Sequence, residues 1–272
     1  MKIAITGASG FVGTAIQQQY KDVVYVHRND SKELILEKLE GVDVVINLAG
    51  APIIKRWNKE YKKILISSRV DTTKTLVAAI NESEVKHLIS TSAVGIYPDN
   101  VPCDETTKEI ADDFLGSLAS RWENVALSCS KPTAILRFGI VLGKEGGALK
   151  QMLTPFRLGV GGIIGDGKAM MSWISIVDLV HIYKFVIENN LTGIYNATTP
   201  NPVTNRVFTK ALGKALHRPT IFPLPEFVLK IIYGEAAGVV TGSKEVYPKA
   251  LQDAGYQFIH PDIDRALKEL LQ

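Results

Sequence analysis

The chain opens with a strand, a turn and a helix in consecutive residues, KIAITGASGFVGTAIQQQY. Ile3 to Thr6 is a short β-rich run, and the apolar residues after the turn recur at helical spacing. Between them Gly7, Gly10 and Gly13 form G-x-x-G-x-x-G. At a strand-to-helix turn each glycine has its own task. One permits the tight bend, one lets the backbone approach a pyrophosphate, and one lets the helix pack close on the strand. The phosphates then face the free amides and the positive end of the helix dipole. Alone, such glycines say little; between a strand and a helix they predict a dinucleotide-binding unit and, with it, a parallel sheet.

The following sequence continues the alternation. Strands are expected at Val23 to Val26, Val42 to Leu48, Lys86 to Thr91 and Thr133 to Phe138. Helices are expected at Ser31 to Leu39, at Asn58 to Ile80 as one long element, within DDFLGSLASRWE (112–123), and from near Ile176. This pattern specifies an α/β fold with a Rossmann-type doubly wound parallel sheet. Past Gly139 the pattern changes: GKEGGALKQMLTPFRLGVGGIIGDG reads as glycine-rich and irregular, and later segments are punctuated by proline. Helices are expected again at Asn205 to Leu216 and Asp262 to Leu271. The division expected is a nucleotide-binding domain of residues 1–139 plus about 173–195, and a smaller C-terminal substrate domain of about 140–172 plus 196–272.

With 46% hydrophobic and 22% charged residues, the composition is that of a soluble globular protein. The net charge of +3 comes from scattered Lys and Arg without interleaved aromatics, which argues against a nucleic-acid partner. Cys103 and Cys129 have no metal or disulfide spacing, and the five histidines are far apart, so no metal site is expected. No leader pattern and no apolar run of membrane-spanning length is present. The expectation is a cytoplasmic protein, monomer or homodimer, with a small-molecule substrate.

The second strand ends in His27-Arg28-Asn29-Asp30, where the adenosine ribose is normally read. An acid there accepts from the ribose 2′-hydroxyl of NAD, whereas an arginine accommodates the 2′-phosphate of NADP. Arg28 has the better offset from Gly7, and NADP (NADPH) is the expected cofactor. After the third strand, Leu48-Ala49-Gly50 supplies the small residues against which a cofactor can lie.

The stretches ITGASGFVG, INLAG, LISTSAVGIY, LRFGIVLG and WISIVDLV resemble the extended short-chain dehydrogenase/reductase superfamily, in its epimerase and dehydratase branch. SSRVDTT and NATTPNPVTNRVFTKALGKALHRP are similar to an atypical epimerase-like subgroup. The resemblance covers essentially the whole chain. It implies cofactor contacts from Gly7, Ser9, Gly10, Phe11, Val12, Gly13, His27, Arg28, Leu48, Ala49, Gly50 and Thr91, and from Arg69, where relatives more usually carry asparagine. Relatives perform proton transfer with a Tyr-x-x-x-Lys pair on the helix after the Ser/Thr strand. None of the nine tyrosines here is followed four residues later by lysine. At the matching positions stand Phe114 and Leu118, part of a stripe Ile110, Phe114, Leu118, Trp122 that reads as a core-facing surface.

Ser92 matches the superfamily's substrate-hydroxyl partner, and Tyr97 a tyrosine found shortly after it; these are the candidate catalytic residues, each with packing or strand capping as the plainer alternative. Asp104 and Glu105 read as solvated. Residues 162–169 nearly spell a phosphate-binding loop, but Ala169 lacks the hydroxyl that ligates magnesium, and the segment reads as a substrate-side loop. Trp173 reads as either cleft lining or core. Two functions remain open: an NADP-dependent oxidoreductase or epimerase-like enzyme working without the Tyr-Lys pair, and a non-catalytic NADP-binding regulatory or sensor protein.

Overall fold

Ile3–Thr6 is buried along its whole length, as a strand covered by helices on both sides must be. The computed structural model describes all 272 residues and places this strand inside a six-stranded parallel sheet. From one edge the order is Gly193–Ala197, Thr133–Phe138, His87–Ala93, Val44–Asn47, Ile3–Thr6, Val23–Val26. In chain order this is 6-5-4-3-1-2, so the second and third strands flank the first on opposite sides. The direction of winding therefore reverses between Ile3–Thr6 and Val44–Asn47, and ligands of open sheets bind beside such a reversal.

Two apolar clusters cover the sheet. On one face Ile16 of helix Phe11–Gln17 meets Leu179, Ile182, Tyr183 and Val186 of helix Ile176–Glu188. On the other, Ile35 and Leu39 meet Leu76, Val77 and Ile80 of helix Thr72–Asn81. A third cluster forms away from the sheet, where Leu149, Leu153, Phe156, Trp173, Phe208, Leu212 and Leu267 join helices Gly147–Arg157, Asn205–Ala215 and Ile263–Leu271.

Several elements differ from the sequence expectation. The stretch read as irregular after Gly139 contains helix Gly147–Arg157; its glycines mask a helical spacing of Leu149, Leu153 and Phe156 that faces the third cluster. Trp173 is fully buried in that cluster, its Nε1–H donating to Asn201 O at 3.2 Å. The long helix is interrupted: Lys59–Ile66 and Thr72–Asn81 are joined by a π-helical turn, Ser67–Asp71. The fourth strand runs on to Ala93, so Ser92 lies within it, paired in register with Arg137. Helix Phe114–Leu127 begins only after the Asp113 cap, which leaves Ile110 outside it and 49% exposed. The short strand Gly193–Ala197 that completes the sheet carries no strong alternation and is absent from the sequence expectation.

Candidate functional site

At the winding reversal the glycine turn meets the end of the third strand. Gly7 has φ of +69°, and a Cβ there would lie 2.8 Å from Leu48 O. A Cβ at Gly13 would lie 2.4 Å from Gly7 O, so only glycine lets the helix sit this close to the turn. The opposite side of the turn is fixed by a buried polar cluster. Thr6 Oγ1 donates to Asn47 Oδ1 (2.8 Å) and accepts from the amides of Leu48 (3.0 Å) and Ala49 (3.1 Å). Asn47 Nδ2 donates to Thr73 Oγ1 (2.8 Å) and Ser90 Oγ (3.0 Å), and Trp122 Nε1 donates to the same Thr73 oxygen (2.9 Å). Every polar group of Asn47 is thereby used inside a dry core, which makes this turn rigid.

The π-turn gives three consecutive residues different work. Ser67 Oγ accepts from Arg28 Nη2 at 3.0 Å. Ser68 Oγ accepts from the Ala51 amide at 3.0 Å, and Arg69 Nη2 donates to Ala51 O at 3.0 Å. Single π-turns are frequent at functional sites. Here the turn clamps the chain that leaves the third strand. Arg69 lies over Trp122, 5.4 Å from the ring, beside Gly50, and makes no contact with a carboxylate. Burial pushes its guanidinium down to about 10.

The cleft beyond has a volume of about 550 Å³ and is lined by Gly7, Gly10, Phe11, Val12, Gly13, Leu48, Gly50, Arg69, Thr91 and Ser92 among others. Of the remaining candidates, Ala49 is buried under the turn, Ser9 is exposed beside it, and His27 and Arg28 are exposed at the end of the second strand. Asp30, the acid at the ribose-reading end of this strand, is engaged elsewhere. Its Oδ2 accepts from Lys38 Nζ (2.6 Å) and from the His27 amide (2.7 Å). Burial opposes its charge, but these bonds hold its carboxyl below the ordinary range.

Tyr97 is not brought to the cleft. It is 1% exposed and its hydroxyl donates to Asn196 Oδ1 (2.9 Å) while accepting from Arg137 Nη1 (2.6 Å). Burial raises its pKa despite the adjacent guanidinium. Arg137 belongs to an unanticipated buried network. Its Nε and Nη2 reach Glu123 at 2.8 and 2.7 Å, and Glu123 Oε1 also accepts from Ser92 Oγ at 2.6 Å. Because that carboxylate takes the only proton on Ser92, the serine oxygen faces the cleft as an acceptor. Thr91 Oγ1 and Tyr183 hydroxyl pair at 2.8 Å on the opposite sheet face. Glu105, read as solvated, accepts from the amides of Asn196 (2.8 Å) and Ala250 (3.1 Å).

Helix Phe114–Leu127 gives Leu115, Leu118, Ala119 and Trp122 to the wall of the cleft. Phe114, one of the two positions matched by sequence, instead packs edge-on to Trp57 at 5.2 Å, because the Asp113 cap sets the helix phase. Leu115 and Ala119, one residue further on, share the cleft-facing side at four-residue spacing. Neither moves a proton. Gly238, Val239 and Val240 also line the cleft. The chain leading to them is held by Arg56 Nη1 donating to Ile231 O (3.1 Å) and by the Lys62–Glu235 ion pair (2.6 Å). The substrate-side loop contributes Ile164 to the lining.

Fold and cleft together define a dinucleotide-fold protein whose ligand cleft has an apolar far wall. Residues 3–198 match the NAD dependent epimerase/dehydratase family, and residues 224–270 match a domain of unknown function (DUF1731). The chain is 36% identical to the Mus musculus epimerase family protein SDR39U1 over 292 residues, covering 100% of both. It is 32% identical to the Bacillus subtilis epimerase family protein YfhF, covering 100% of this chain and 98% of that one. The crystal structure of human epimerase family protein SDR39U1 (isoform2) with NADPH is similar at a TM-score of 0.91 and 33% identity, covering 99% of each chain. This chain belongs to the NAD-dependent epimerase/dehydratase family. No helix is long and apolar enough to cross a membrane.

Proposed function

We propose that this chain binds NADPH at the winding reversal and uses it to interconvert a carbonyl and a hydroxyl on a small substrate held between the sheet edge and the smaller unit of about 140–172 plus 196–272. The observation that carries the reading is that the glycine cradle and Ser92 line one continuous cleft. The cradle fits a dinucleotide: Gly7, Gly10 and Gly13 all line the cleft, and the turn closes this tightly only because Gly7 and Gly13 carry no Cβ. Arg28 fits the 2′-phosphate, with an exposed guanidinium and the competing Asp30 engaged elsewhere. NADPH bound to a human relative of the same architecture supports the choice.

Bound there, the cofactor supplies or takes a hydride at the substrate carbon. The chain's own contribution is to orient the substrate oxygen. Ser92 Oγ, its proton committed to Glu123, accepts the hydrogen bond of the hydroxyl form; on reduction the substrate oxygen takes its proton from a water molecule, and on oxidation it gives that proton back to water. Leu115 and Ala119 exclude water from the other side without exchanging protons. Titration of the protein with NADPH and NADH tests the cofactor reading. Arg28→Ala is expected to weaken NADPH by about tenfold to a hundredfold, the worth of a charge-assisted hydrogen bond, and to leave NADH unchanged. Equal affinities for the two cofactors in the unaltered protein refute it. The second reading, a non-catalytic NADPH sensor, is favoured by the absence of any proton donor among the wall residues Leu115, Leu118 and Ala119. Robust NADPH oxidation with any carbonyl substrate eliminates it.

A further inference from the structure

We propose that the substrate of this cleft is an uncharged, predominantly apolar compound with one reactive carbonyl or hydroxyl, and that nucleotide-linked and phosphorylated sugars are excluded. The inference rests on the reading of the cleft as a cofactor and substrate site. It follows from an account of what each lining side chain has left to offer.

Beyond the glycine cradle the surface is made by Ile53, Ile54, Leu115, Met152, Val239 and Val240. These come from four separate parts of the chain, so the apolar character is a property of the assembled cleft and not of one helix face. The polar side chains among them are largely spent. Ser172 Oγ donates to Lys244 O (2.8 Å) and accepts from the Val246 amide (2.7 Å). Asn205 Oδ1 accepts from the Ile164 amide (2.8 Å), and its Nδ2 points at the Met171 sulfur. Lys244 Nζ is paired with Asp99 at 3.0 Å and also donates to Tyr97 O.

Two features then decide the substrate. A sugar ring presents several hydroxyls, each of which loses water on entry and needs a partner, and an unpartnered polar group costs about 1–3 kcal/mol. Gln151 is the one neutral polar side chain of the far wall with no hydrogen bond inside the protein, and Ser92 has only acceptor capacity left, so few groups are free to meet several hydroxyls. A nucleoside diphosphate brings about two negative charges, which such sites meet with arginine or lysine. The one guanidinium that lines the cleft, Arg69, has no carboxylate partner, and it lies beside Gly50 in the cofactor half. Lys244 already has its counter-ion, and no Asp or Glu lines the cleft to bind hydroxyls as a sugar-binding acid does. An apolar body, by contrast, gains from each contact with the wall, and burying one valine-sized group contributes about 1.5 kcal/mol.

Calorimetry on the full chain tests this. Cofactor binding is measured first in its own titration with NADP⁺, so its failure is read separately from that of the substrate inference. 4-Phenyl-2-butanone and UDP-glucose are then titrated into the NADP⁺-saturated protein, in which the ketone cannot be reduced, and into the unliganded protein. The ketone is expected to bind at least about tenfold more tightly than UDP-glucose. Val239→Asp is expected to weaken the ketone about tenfold with the NADP⁺ affinity and the far-ultraviolet circular dichroism unchanged. Val239→Thr, nearly the same in shape, is expected to weaken it severalfold and serves if the aspartate variant does not fold. The proposal is overturned if UDP-glucose binds as tightly as the ketone, if neither binds, or if the ketone is indifferent to both variants.

Discussion

The Glu123–Arg137 pair provides the sharpest quantitative test of the site's architecture. Both side chains are nearly dry, at 5% and 8% exposure, and they meet through two bonds of 2.7 and 2.8 Å. Taking two charges out of water costs several kcal/mol each, and their attraction roughly returns that cost when the geometry is good. Removing one partner strands the other. Glu123→Leu leaves the Arg137 guanidinium with only the Tyr97 hydroxyl, and Arg137→Met leaves the Glu123 carboxylate with only the Ser92 hydroxyl. Each single substitution is expected to cost about 3–5 kcal/mol. The double variant removes both charges and puts apolar volume in their place, so it is expected to cost less than the sum by more than about 2 kcal/mol. Urea unfolding followed by tryptophan fluorescence and by far-ultraviolet circular dichroism gives the midpoints and slopes. Additive losses, or single losses below about 1 kcal/mol, would show that the pair is solvated and uncoupled, and would remove the argument that Ser92 is locked as an acceptor.

Other consequences are open to direct measurement. Gly13→Ala places a methyl 2.4 Å from Gly7 O, and is expected to weaken NADPH binding by about tenfold or more in a fluorescence titration. Gly116→Ala drives a Cβ to 2.1 Å from Ala111 O in the first turn of the wall helix, with an expected loss of about 1–3 kcal/mol by chemical unfolding. Burial raises the Glu105 carboxyl, so its ionised form is the disfavoured one in the fold. Its contribution is therefore most favourable below the unfolded pKa and declines as pH rises through the higher folded value. The stability difference between the protein and Glu105→Gln, whatever its offset, is expected to move towards the variant from about pH 4 to about pH 7; movement the other way refutes the assigned shift.

Much of this arrangement is legible in local patterns. Ile3–Thr6 and Thr133–Phe138 fall where short apolar runs between turn residues place them, because a strand buried on both faces has little alternative composition; Val23–Val26, at the sheet edge, is legible from its β-branched run instead. Ser92 is legible through its family position and does line the cleft. Strand order is not written locally: nothing in Val44–Asn47 tells which side of the first strand it joins. Of the expected stripe, Leu118 and Trp122 are buried and reach the wall, whereas Phe114 turns to Trp57 and Ile110 falls before the helix, because helix start and phase depend on the cap and on docking. Glu123 and Arg137 left a usable signal. An arginine inside the apolar run TAILRF needs an acid if the strand is buried, and the acid it meets is the glutamate of WENVAL.

The π-turn at Ser67–Asp71 has a further consequence for how this cleft can change. A π-turn carries one residue more than a regular turn, so a single deletion there would restore an unbroken helix. The cost would be rotational. Everything before the deletion would swing by about 100° relative to Thr73, which is tied to Asn47 and Trp122. Ser68 and Arg69 would then no longer meet Ala51, nor Ser67 meet Arg28. The surplus residue therefore acts as a phase lock between two rigid parts. Substitution at these positions trims one contact at a time, whereas a change in length releases all of them together.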